Sequence, residues 1–387
     1  MPRFCLHSLY RGPHRLHLLL WACMGAVLFA YPAVARDIRV GLKEDVASVT
    51  IGSSTSALLT DNQNRTLGKL PALQGFDAVA ASGGVSLAHT KAWQITVKPQ
   101  EDGFVYVGDR WYRGQVSLIR SGGGFTVVNR LNIEDYIASV IGKEMYPTWP
   151  LEALKAQAVA SRSYAMFQQQ RPKFKLFDVL STTTSQVYAG LTSEANSTQA
   201  AVKATSGEVL TYQGKLVEAV FHASSGGHTE NSENIWVSPV PYLRGVPDFD
   251  QTAPVYQWTV NFSAAQLRQR IPGIGDIVSM KPIKTTPNGR VQLLKIQGNA
   301  GSVVMKGSSV RKALGLRSTL FSTKPAFGLV AGATSSAKPS GFEITGRGSG
   351  HGLGMSQWGA LGLANQGKSY REILTHYFQG TTIRPMP

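Results

Sequence analysis

Cysteine is nearly absent from this sequence. Its two cysteines, Cys5 and Cys23, lie in the first 35 residues, where arginines precede an apolar run from Leu18 to Ala30. Ala33-Val34-Ala35 follows with the small-x-small form of a signal-peptidase site, and the apolar run is shorter than a membrane span of about 20 residues. We therefore expect a cleaved signal peptide at 1–35, export to the periplasm or cell wall, and a mature chain without thiols or disulfides.

Acidic residues are also scarce. The chain has 39 Lys and Arg against 23 Asp and Glu, a formal net charge of +16. An exported protein this basic usually meets an anionic polymer, such as wall glycan, a lipid surface or nucleic acid. Basic clusters interleaved with aromatic residues are missing, so we expect no nucleic-acid partner. A positive charge that only maintains solubility is the alternative.

The spacing of apolar residues changes along the chain. From Asp37 to about Val128, short β-prone runs are separated by turn residues, whereas residues 132–145 and 150–169 have helical periodicity. Further strands follow, and a glycine-rich strand, two helices and a short strand close the chain. This order predicts an α+β fold with antiparallel strands and segregated helices. We divide it into a β-rich region at 36–110 and a main domain at 111–383, with an inserted loop at about 323–341.

One carboxylate, Glu144, follows an apolar helical run in the stretch VIGKEMYPTWP. Steps of about 100° per residue from Ile133 return Glu144 to within about 20° of Ile133, on the inward face of the helix. Burial and the helix C-terminus both disfavour an anion and raise the pKa, as a general acid near neutral pH requires. A half-buried glutamate neutralised by a neighbouring cation is an equally weighted alternative.

Lys155 and Arg162 fall on the inward face of the next helix. Two inward cations need an anion, so they either pair with Glu144 or bind a charged group of the substrate. A salt-bridged acid would ionise too easily to donate a proton. Catalysis by Glu144 therefore requires Arg162 to serve the substrate or a second carboxylate such as Asp178.

Glycine alternates with other residues from 346 to 354 in GRGSGHGLGMSQWGA. A strand with one bare side suits close approach by a ligand, and we expect a cleft wall rather than a tightly packed structural strand. His351 and Gln357 supply polar groups there, and Trp358 could stack on a sugar ring.

Two further motifs have competing interpretations. In FHASSGGHTENSENIW, His222 and His228 match no zinc pattern, so we favour a substrate-contacting loop around Ser225. GLANQGKS at 362–369 matches a phosphate loop but lacks its strand-loop-helix context. We therefore expect no nucleotide, and predict instead that Ser369 and Glu372 form a capping box.

Several blocks, in order, resemble the SpoIID/LytB family of stage II sporulation protein D and LytB amidase enhancers. They include the stretch from VVNRLNIEDY to AVASRSYA, TTTSQVYAG, FHASSGGHTENSENIW and GHGLGMSQWGALGLANQGKS. The resemblance runs from about Tyr112 to Ile383. It implies a SpoIID-like core with a substrate cleft and a lytic transglycosylase acting on peptidoglycan strands stripped of stem peptides. Glu144, in the Glu-Met motif, would be the catalytic acid and base.

The resemblance and the residue patterns together give the remaining candidates. Substrate contacts are expected from Lys155, Arg162, Ser225, His351, Gln357 and Trp358. Some clostridial members bind zinc through a histidine and two cysteines, but the mature chain lacks thiols, so we expect no metal and no cofactor. The LytB name implies a different function, a non-catalytic wall-binding module whose partner is a cell-wall amidase. A structural wall protein is the third alternative.

Overall fold

The computed structural model describes residues 36–327 and 338–387. The predicted signal peptide at 1–35 lies outside the described residues. Beyond the first 34 residues the chain forms one compact unit. Within the described part, no helix combines the length and the apolarity that a membrane crossing requires.

The fold is mixed α+β, as expected, and its elements are numbered in chain order. The strands up to the first helix are β1 Asp37–Val46, β2 Ser48–Ser53, β3 Ala57–Thr60, β4 Thr66–Leu70, β5 Phe76–Ala81, β6 Gly84–Leu87, β7 Thr90–Ala92, β8 Gln94–Pro99, β9 Val105–Val107, β10 Arg110–Tyr112, β11 Gln115–Ser121 and β12 Gly124–Asn132. The later strands are β13 Val179–Leu180, β14 Glu208–Tyr212, β15 Lys215–Leu216, β16 Phe221–His222, β17 Gln257–Ser263, β18 Ile277–Thr285, β19 Val291–Gly298, β20 Gly301–Lys306, β21 Phe321–Ala326, β22 Gly341–Arg347, β23 Met355–Ser356 and β24 Thr382–Pro385. The helices are α1 Ile133–Glu144, α2 Leu151–Gln170, α3 Asn196–Ala204, α4 Ser232–Ile235, α5 Ala264–Arg270, α6 Gly307–Leu314, α7 Gln357–Asn365 and α8 Tyr370–Tyr377, with a short 3₁₀ helix at Gly190–Ser193.

Two sheets form the N-terminal part. The larger has the order β13-β1-β12-β11-β8-β3-β4, and the smaller has the order β10-β9-β2-β5-β6-β7. β1 pairs antiparallel with β12, so that Asp37 lies opposite Asn132. β12 is the third strand of the larger sheet, so α1 begins where an interior strand of that sheet ends.

The two predicted helices are present within two residues of their expected ends. Asn132 caps α1, since its side chain accepts a hydrogen bond from the Glu134 N–H at 2.8 Å. The inward face of α1 is apolar and buried, with Tyr136, Ile137 and Val140 all fully covered. Met145 adopts an extended conformation and ends the helix directly after Glu144. Helical periodicity and a good cap therefore fix where the carboxylate stands.

The C-terminal segment returns to the first helices. β23 pairs parallel with β16, which sets His222 opposite Ser356, and β24 pairs with β14. Helices α7 and α8 follow β23 and both pack on α2. The start of α7 is thereby brought next to the end of α1.

The chain segment that runs from β17 to β22 forms a second hydrophobic core. It is formed by α5, α6 and two three-stranded sheets with the orders β17-β22-β21 and β18-β19-β20. Residues 323–326, which we predicted as the start of a loop, belong to β21. They form a strand because they hydrogen-bond to β22, which follows the predicted loop in the sequence. Residues 328–337 of the predicted loop lie outside the described part.

Candidate active site around Glu144

Glu144 is half-buried at the C-terminal end of α1. Its Oε1 accepts a hydrogen bond from the Val187 N–H at 2.9 Å, and its Oε2 accepts one from the Gln357 side-chain amide at 3.3 Å. Both donors are neutral. None of the ion pairs formed by the described residues includes Glu144. The alternative of a glutamate neutralised by a cation therefore has no support in the structure.

The electrostatic environment of Glu144 favours its protonated form. Burial raises the pKa of the Glu144 carboxyl above its ordinary value, and the hydrogen bonds from Val187 and Gln357 offset part of that rise. A carboxylic acid with a raised pKa can donate a proton closer to neutral pH. The site thus has the chemistry that the sequence predicted for a general acid.

Close packing fixes the end of α1. A Cβ on Gly142 would lie 1.8 Å from the Ser193 carbonyl oxygen, so only glycine allows α1 to approach the 3₁₀ helix this closely. One turn earlier, the Ser139 hydroxyl donates to the Gly190 carbonyl at 2.9 Å. These contacts join α1 to the segment just after Val187, so the donor and the carboxylate are held by the same packing.

Three aromatic side chains accompany Glu144 and Gln357 in the sequence and cluster in space. The Trp149 and Trp358 rings are 4.9 Å apart and edge-to-face, and the Tyr146 ring lies 5.6 Å from Trp149. Tyr146 is 61% exposed, whereas the two tryptophans are half-buried. We call these three residues the aromatic cluster. It offers apolar ring surface beside the carboxyl, which suits the C–H faces of a sugar.

The expected roles of Lys155 and Arg162 are not supported. Arg162 is fully buried and pairs with Glu134, at 2.5 Å between Nη2 and Oε2, because Glu134 in the first turn of α1 faces the middle of α2. Lys155 pairs with Glu152 at 2.7 Å on its own helix. Asp178, the other suggested partner of Arg162, instead pairs with Arg39. Neither cation forms an ion pair with Glu144, and the fully buried Arg162 cannot contact a polymer.

Ser225 and His351 are also held by the chain itself. Ser225 is fully buried and its hydroxyl donates to Asp248, so the prediction that it contacts substrate is wrong. His351 accepts the Leu353 N–H at Nδ1 and lies 3.0 Å from the Phe221 carbonyl at Nε2. Both ring nitrogens therefore have backbone partners. Burial lowers the pKa of His351 to about 4, which keeps the ring neutral.

Gly346 lies in β22, but the four alternating glycines that follow it form a loop and not a strand. β22 ends at Arg347, and Gly348, Gly350, Gly352 and Gly354 all have positive φ. A Cβ on Gly350 would lie 2.5 Å from His222, and one on Gly352 would lie 2.5 Å from the Arg290 guanidinium carbon. The bare side is thus filled by the chain's own side chains. The expectation of a cleft wall here is wrong, since protein occupies the space that a ligand would need.

The structure brings the predicted residues Glu144, Gln357 and Trp358 together with neighbours that the sequence analysis did not single out. Val187 contributes only its backbone N–H, and any residue except proline could donate in the same way, so the sequence does not identify it as a site residue. Tyr146 and Trp149 had a usable signal, because both follow Glu144 within five residues. Aromatic residues beside a candidate acid are typical of sugar sites.

Two expectations about ligands concern other parts of the chain. Across residues 36–327 and 338–387, no group of three or more His, Cys, Asp or Glu side chains is arranged to hold a metal ion. Ser369 and Glu372 form the predicted capping box at the start of α8, so the GLANQGKS motif is accounted for by helix capping.

A cavity of about 640 Å³ lies at the other end of α1, where Arg113 and Asp135 are among its lining residues. Asp135 is nine residues before Glu144, about 13 Å along the helix axis. The cavity is therefore distinct from the surface that carries Glu144 and the aromatic cluster.

Comparison with known proteins shows which family contains the residues around Glu144. The family model described as stage II sporulation protein, SpoIID, matches residues 121–212, which contain Glu144 and Val187. Stage II sporulation protein D of Bacillus subtilis is 33% identical over 277 residues, covering 66% of this chain and 75% of that protein. The chain belongs to the SpoIID family.

Two further relatives and a second family model also match this SpoIID family member. An uncharacterized protein of Brachyspira hyodysenteriae is 39% identical over 290 residues, 73% of this chain and 74% of that protein. The amidase enhancer of Bacillus subtilis is 31% identical over 290 residues, 64% of this chain and 40% of the enhancer. A domain of unknown function matches residues 231–354, which contain the second hydrophobic core.

Proposed function

We propose that this SpoIID family member is an exported cell-wall enzyme. It cleaves the bond between N-acetylmuramic acid and N-acetylglucosamine in peptidoglycan strands that lack stem peptides, without water, and leaves 1,6-anhydro ends. Glu144 is the catalytic acid and base. Gln357 orients the carboxyl, and the aromatic cluster of Tyr146, Trp149 and Trp358 binds sugar rings.

One observation carries the proposal: Glu144 is a half-buried carboxyl whose two hydrogen-bond donors, Val187 N–H and the Gln357 amide, are both neutral. An arginine or lysine partner would hold the carboxyl ionised, whereas burial favours the protonated form. Gln357 lies directly before Trp358, so the residue that orients the acid adjoins a ring of the aromatic cluster.

A single carboxyl suffices for the reaction. Protonated Glu144 gives its proton to the glycosidic oxygen as the bond from that oxygen to muramyl C1 breaks. The C6 hydroxyl oxygen of the same sugar then bonds to C1, and its proton returns to Glu144. Because the nucleophile belongs to the substrate, no second carboxylate is needed to activate water. The protein ends each turnover in its starting protonation state.

The test is product analysis by mass spectrometry. Glycan strands freed of stem peptides by an amidase are incubated with the wild-type protein and with Glu144→Gln. We expect anhydro-ended fragments from the wild type and a rate at least about 100-fold lower from the variant. Glu44→Gln, an exposed carboxylate in β1, is the matched control and should keep wild-type activity. Equal release of anhydro products by Glu144→Gln and the wild type would refute the proposal.

The similarity to the amidase enhancer supports a second candidate function, a non-catalytic wall-binding protein that stimulates an amidase. The same protein samples distinguish the two. The enhancer function predicts no bond cleavage by the protein alone, faster release of stem peptides when an N-acetylmuramoyl-L-alanine amidase is added, and full stimulation by Glu144→Gln. Loss of stimulation in that variant would count against it.

A further inference from the structure

Positive charge is concentrated in the part of the chain that surrounds the second hydrophobic core. Residues 256–347 contain 13 of the 39 Lys and Arg but only two of the 23 Asp and Glu, Asp276 and Glu343. Asp276 is paired with Arg268 at 2.8 Å. This segment therefore carries a formal charge of +11 out of the whole chain's +16, and its charge cannot be attributed to a uniform basic composition.

Four of these lysines stand together on the outer face of the β18-β19-β20 sheet. One face of the sheet is covered, since Met280, Leu294 and Ile296 are buried in the second hydrophobic core. On the other face Lys281, Lys284, Lys295 and Lys306 are exposed. We call this surface the lysine face.

Strand register sets the spacing of the four lysines along the backbone. Lys281 lies directly opposite Lys295, while Lys284 and Lys306 each lie opposite Leu293, one on either side of it. Neighbouring strands are about 4.8 Å apart and alternate residues about 7 Å apart along a strand. The lysines therefore form two rows across the sheet, within an area of about 10 by 7 Å.

The lysine face has no internal neutralisation. The strands β18, β19 and β20 contain no Asp or Glu, and none of the four lysines takes part in an ion pair within the part of the chain that the structure describes. Like charges placed directly opposite each other destabilise a sheet. Lys281 and Lys295 thus impose a cost on folding that an external anion would remove.

We propose that the lysine face is a docking surface for a carboxylate-bearing glycan strand, the substrate under the proposed function, at a site separate from Glu144. The inference rests on that function for the identity of the polymer. Each disaccharide of a strand without stem peptides carries one lactyl carboxylate, so an extended strand is complementary in charge to two rows of cations. Binding there would hold the polymer while Glu144 acts on another part of it.

The apolar residues on the lysine face favour a glycan over other polyanions. Val304, which lies opposite Lys295, is 51% exposed, and Ile283, at the irregularity between Pro282 and Lys284, is 54% exposed. Aliphatic groups among cations suit a chain of sugar rings with C–H faces, whereas a polyphosphate has no apolar surface to cover them. Segments that bind lipid surfaces usually present Trp, Phe or Leu at the interface, and none of these side chains is exposed on the three strands.

The test measures binding in the Glu144→Gln background, so that no digestion occurs. The variant K281Q/K284Q/K295Q/K306Q removes the lysine face, and K69Q/K91Q/K203Q/K215Q removes four exposed lysines elsewhere as a matched control. Four exposed charge contacts at a few tenths of a kcal/mol each correspond to about a tenfold change in Kd. We expect the first variant to bind amidase-treated glycan strands about tenfold more weakly than the control. Circular dichroism should be unchanged in both variants, and the Tm of the lysine-face variant should be no lower than that of the control, because the repulsion between Lys281 and Lys295 is removed.

Three comparison ligands complete the test. Strands whose lactyl carboxyls are converted to methylamides should bind the wild-type face about as weakly as the lysine-face variant binds untreated strands. Equal binding of both quadruple variants, or undiminished binding of the amidated strands, would overturn the proposal. Tighter lysine-dependent binding to polyphosphate or to phosphatidylglycerol vesicles than to glycan would also overturn it. Binding and cleavage are measured separately. If the product analysis shows that Glu144 is not catalytic, the binding experiment still decides whether the lysine face binds glycan.

Discussion

Glu144 and Gln357 are separated by 213 positions in the chain and share one hydrogen bond, with 3.3 Å between Gln357 Nε2 and Glu144 Oε2. The amide donates to the carboxylate form and so opposes the rise in pKa that burial produces. The pKa of the candidate catalytic acid thus depends on its burial at the end of α1 and on two donors from distant segments, the Val187 N–H and Gln357 at the start of α7.

This bond predicts a pH effect. The acid must be protonated to act, so activity should fall as the pH rises through the raised pKa of Glu144. Gln357→Leu removes a donor to the carboxylate and should move this falling limb to higher pH. The measurement is kcat/KM on denuded glycan from pH 4 to 9, with Gln63→Leu, an exposed glutamine, as control. A limb at the same pH in Gln357→Leu and the wild type would show that the bond does not tune the acid.

Removal of Tyr146 should weaken sugar binding without loss of stability. An aromatic contact is worth about 0.5–1.5 kcal/mol, so Tyr146→Ala in the Glu144→Gln background should raise the Kd for glycan strands about two- to tenfold. Because Tyr146 is 61% exposed, its loss leaves the core intact. Trp93→Ala, at an aromatic residue that is 51% exposed in another part of the chain, controls for general surface effects. Equal affinities in the two variants would exclude the aromatic cluster as a binding surface.

Arg162 should be required for stability. Arg162→Ala leaves the Glu134 carboxylate without its partner in a mostly buried setting, and breaking such a pair costs about 3–5 kcal/mol. Lys155→Ala, which breaks the more accessible pair with Glu152, should cost about 0.5 kcal/mol. Urea unfolding measures both. A stable Arg162→Ala protein with a raised KM would instead restore the substrate-binding role.

His351 should make the fold sensitive to acid. Burial and the nearby charges of Arg290 and Arg311 lower its pKa from 6.5 to about 4, so the unfolded chain binds a proton in this window that the folded chain does not. The free energy of unfolding is therefore unaffected by protonation of His351 above pH 6.5 and decreases as the pH falls from 6.5 towards 4, because protonation of His351 then favours the unfolded chain. Urea unfolding of His351→Gln between pH 4 and 7.5 should show a shallower loss than the wild type, whereas exposed His89→Gln should follow the wild type. Parallel curves for His351→Gln and the wild type would contradict this.

Local sequence signals predicted the parts of the fold that are encoded locally. Helices α1 and α2 were predictable because an N-cap at Asn132, a proline at 150 and helical periodicity act within single turns. The inward direction of Glu144 followed from the same periodicity. The alternating glycines from 348 to 354 were misread because alternation suggests a strand, whereas their positive φ values require a loop.

Partners across long distances in sequence were not predictable. Arg162 was expected to face an anion, and it does, but the choice of Glu134 over Glu144 or Asp178 depends on how α1 crosses α2. Val187 offers only a backbone N–H, and the position of its loop is set by tertiary packing. The lysine face is similarly a product of register, since Lys281 and Lys295 become neighbours only when β18 pairs with β19.

Because Gln357 and Trp358 lie more than 200 positions after Glu144, the candidate site is completed only late in synthesis of the chain. When only the first 350 residues have been made, the acid lacks its amide donor, one ring of the aromatic cluster and the helix that carries both. A polypeptide cut short before α7 should therefore be inert, however well its N-terminal sheets have formed. The last tenth of the sequence thus supplies contacts that the proposed catalytic acid needs. Under the proposed function, the protein would cleave wall glycan only after α7 has been synthesised and has packed against α1.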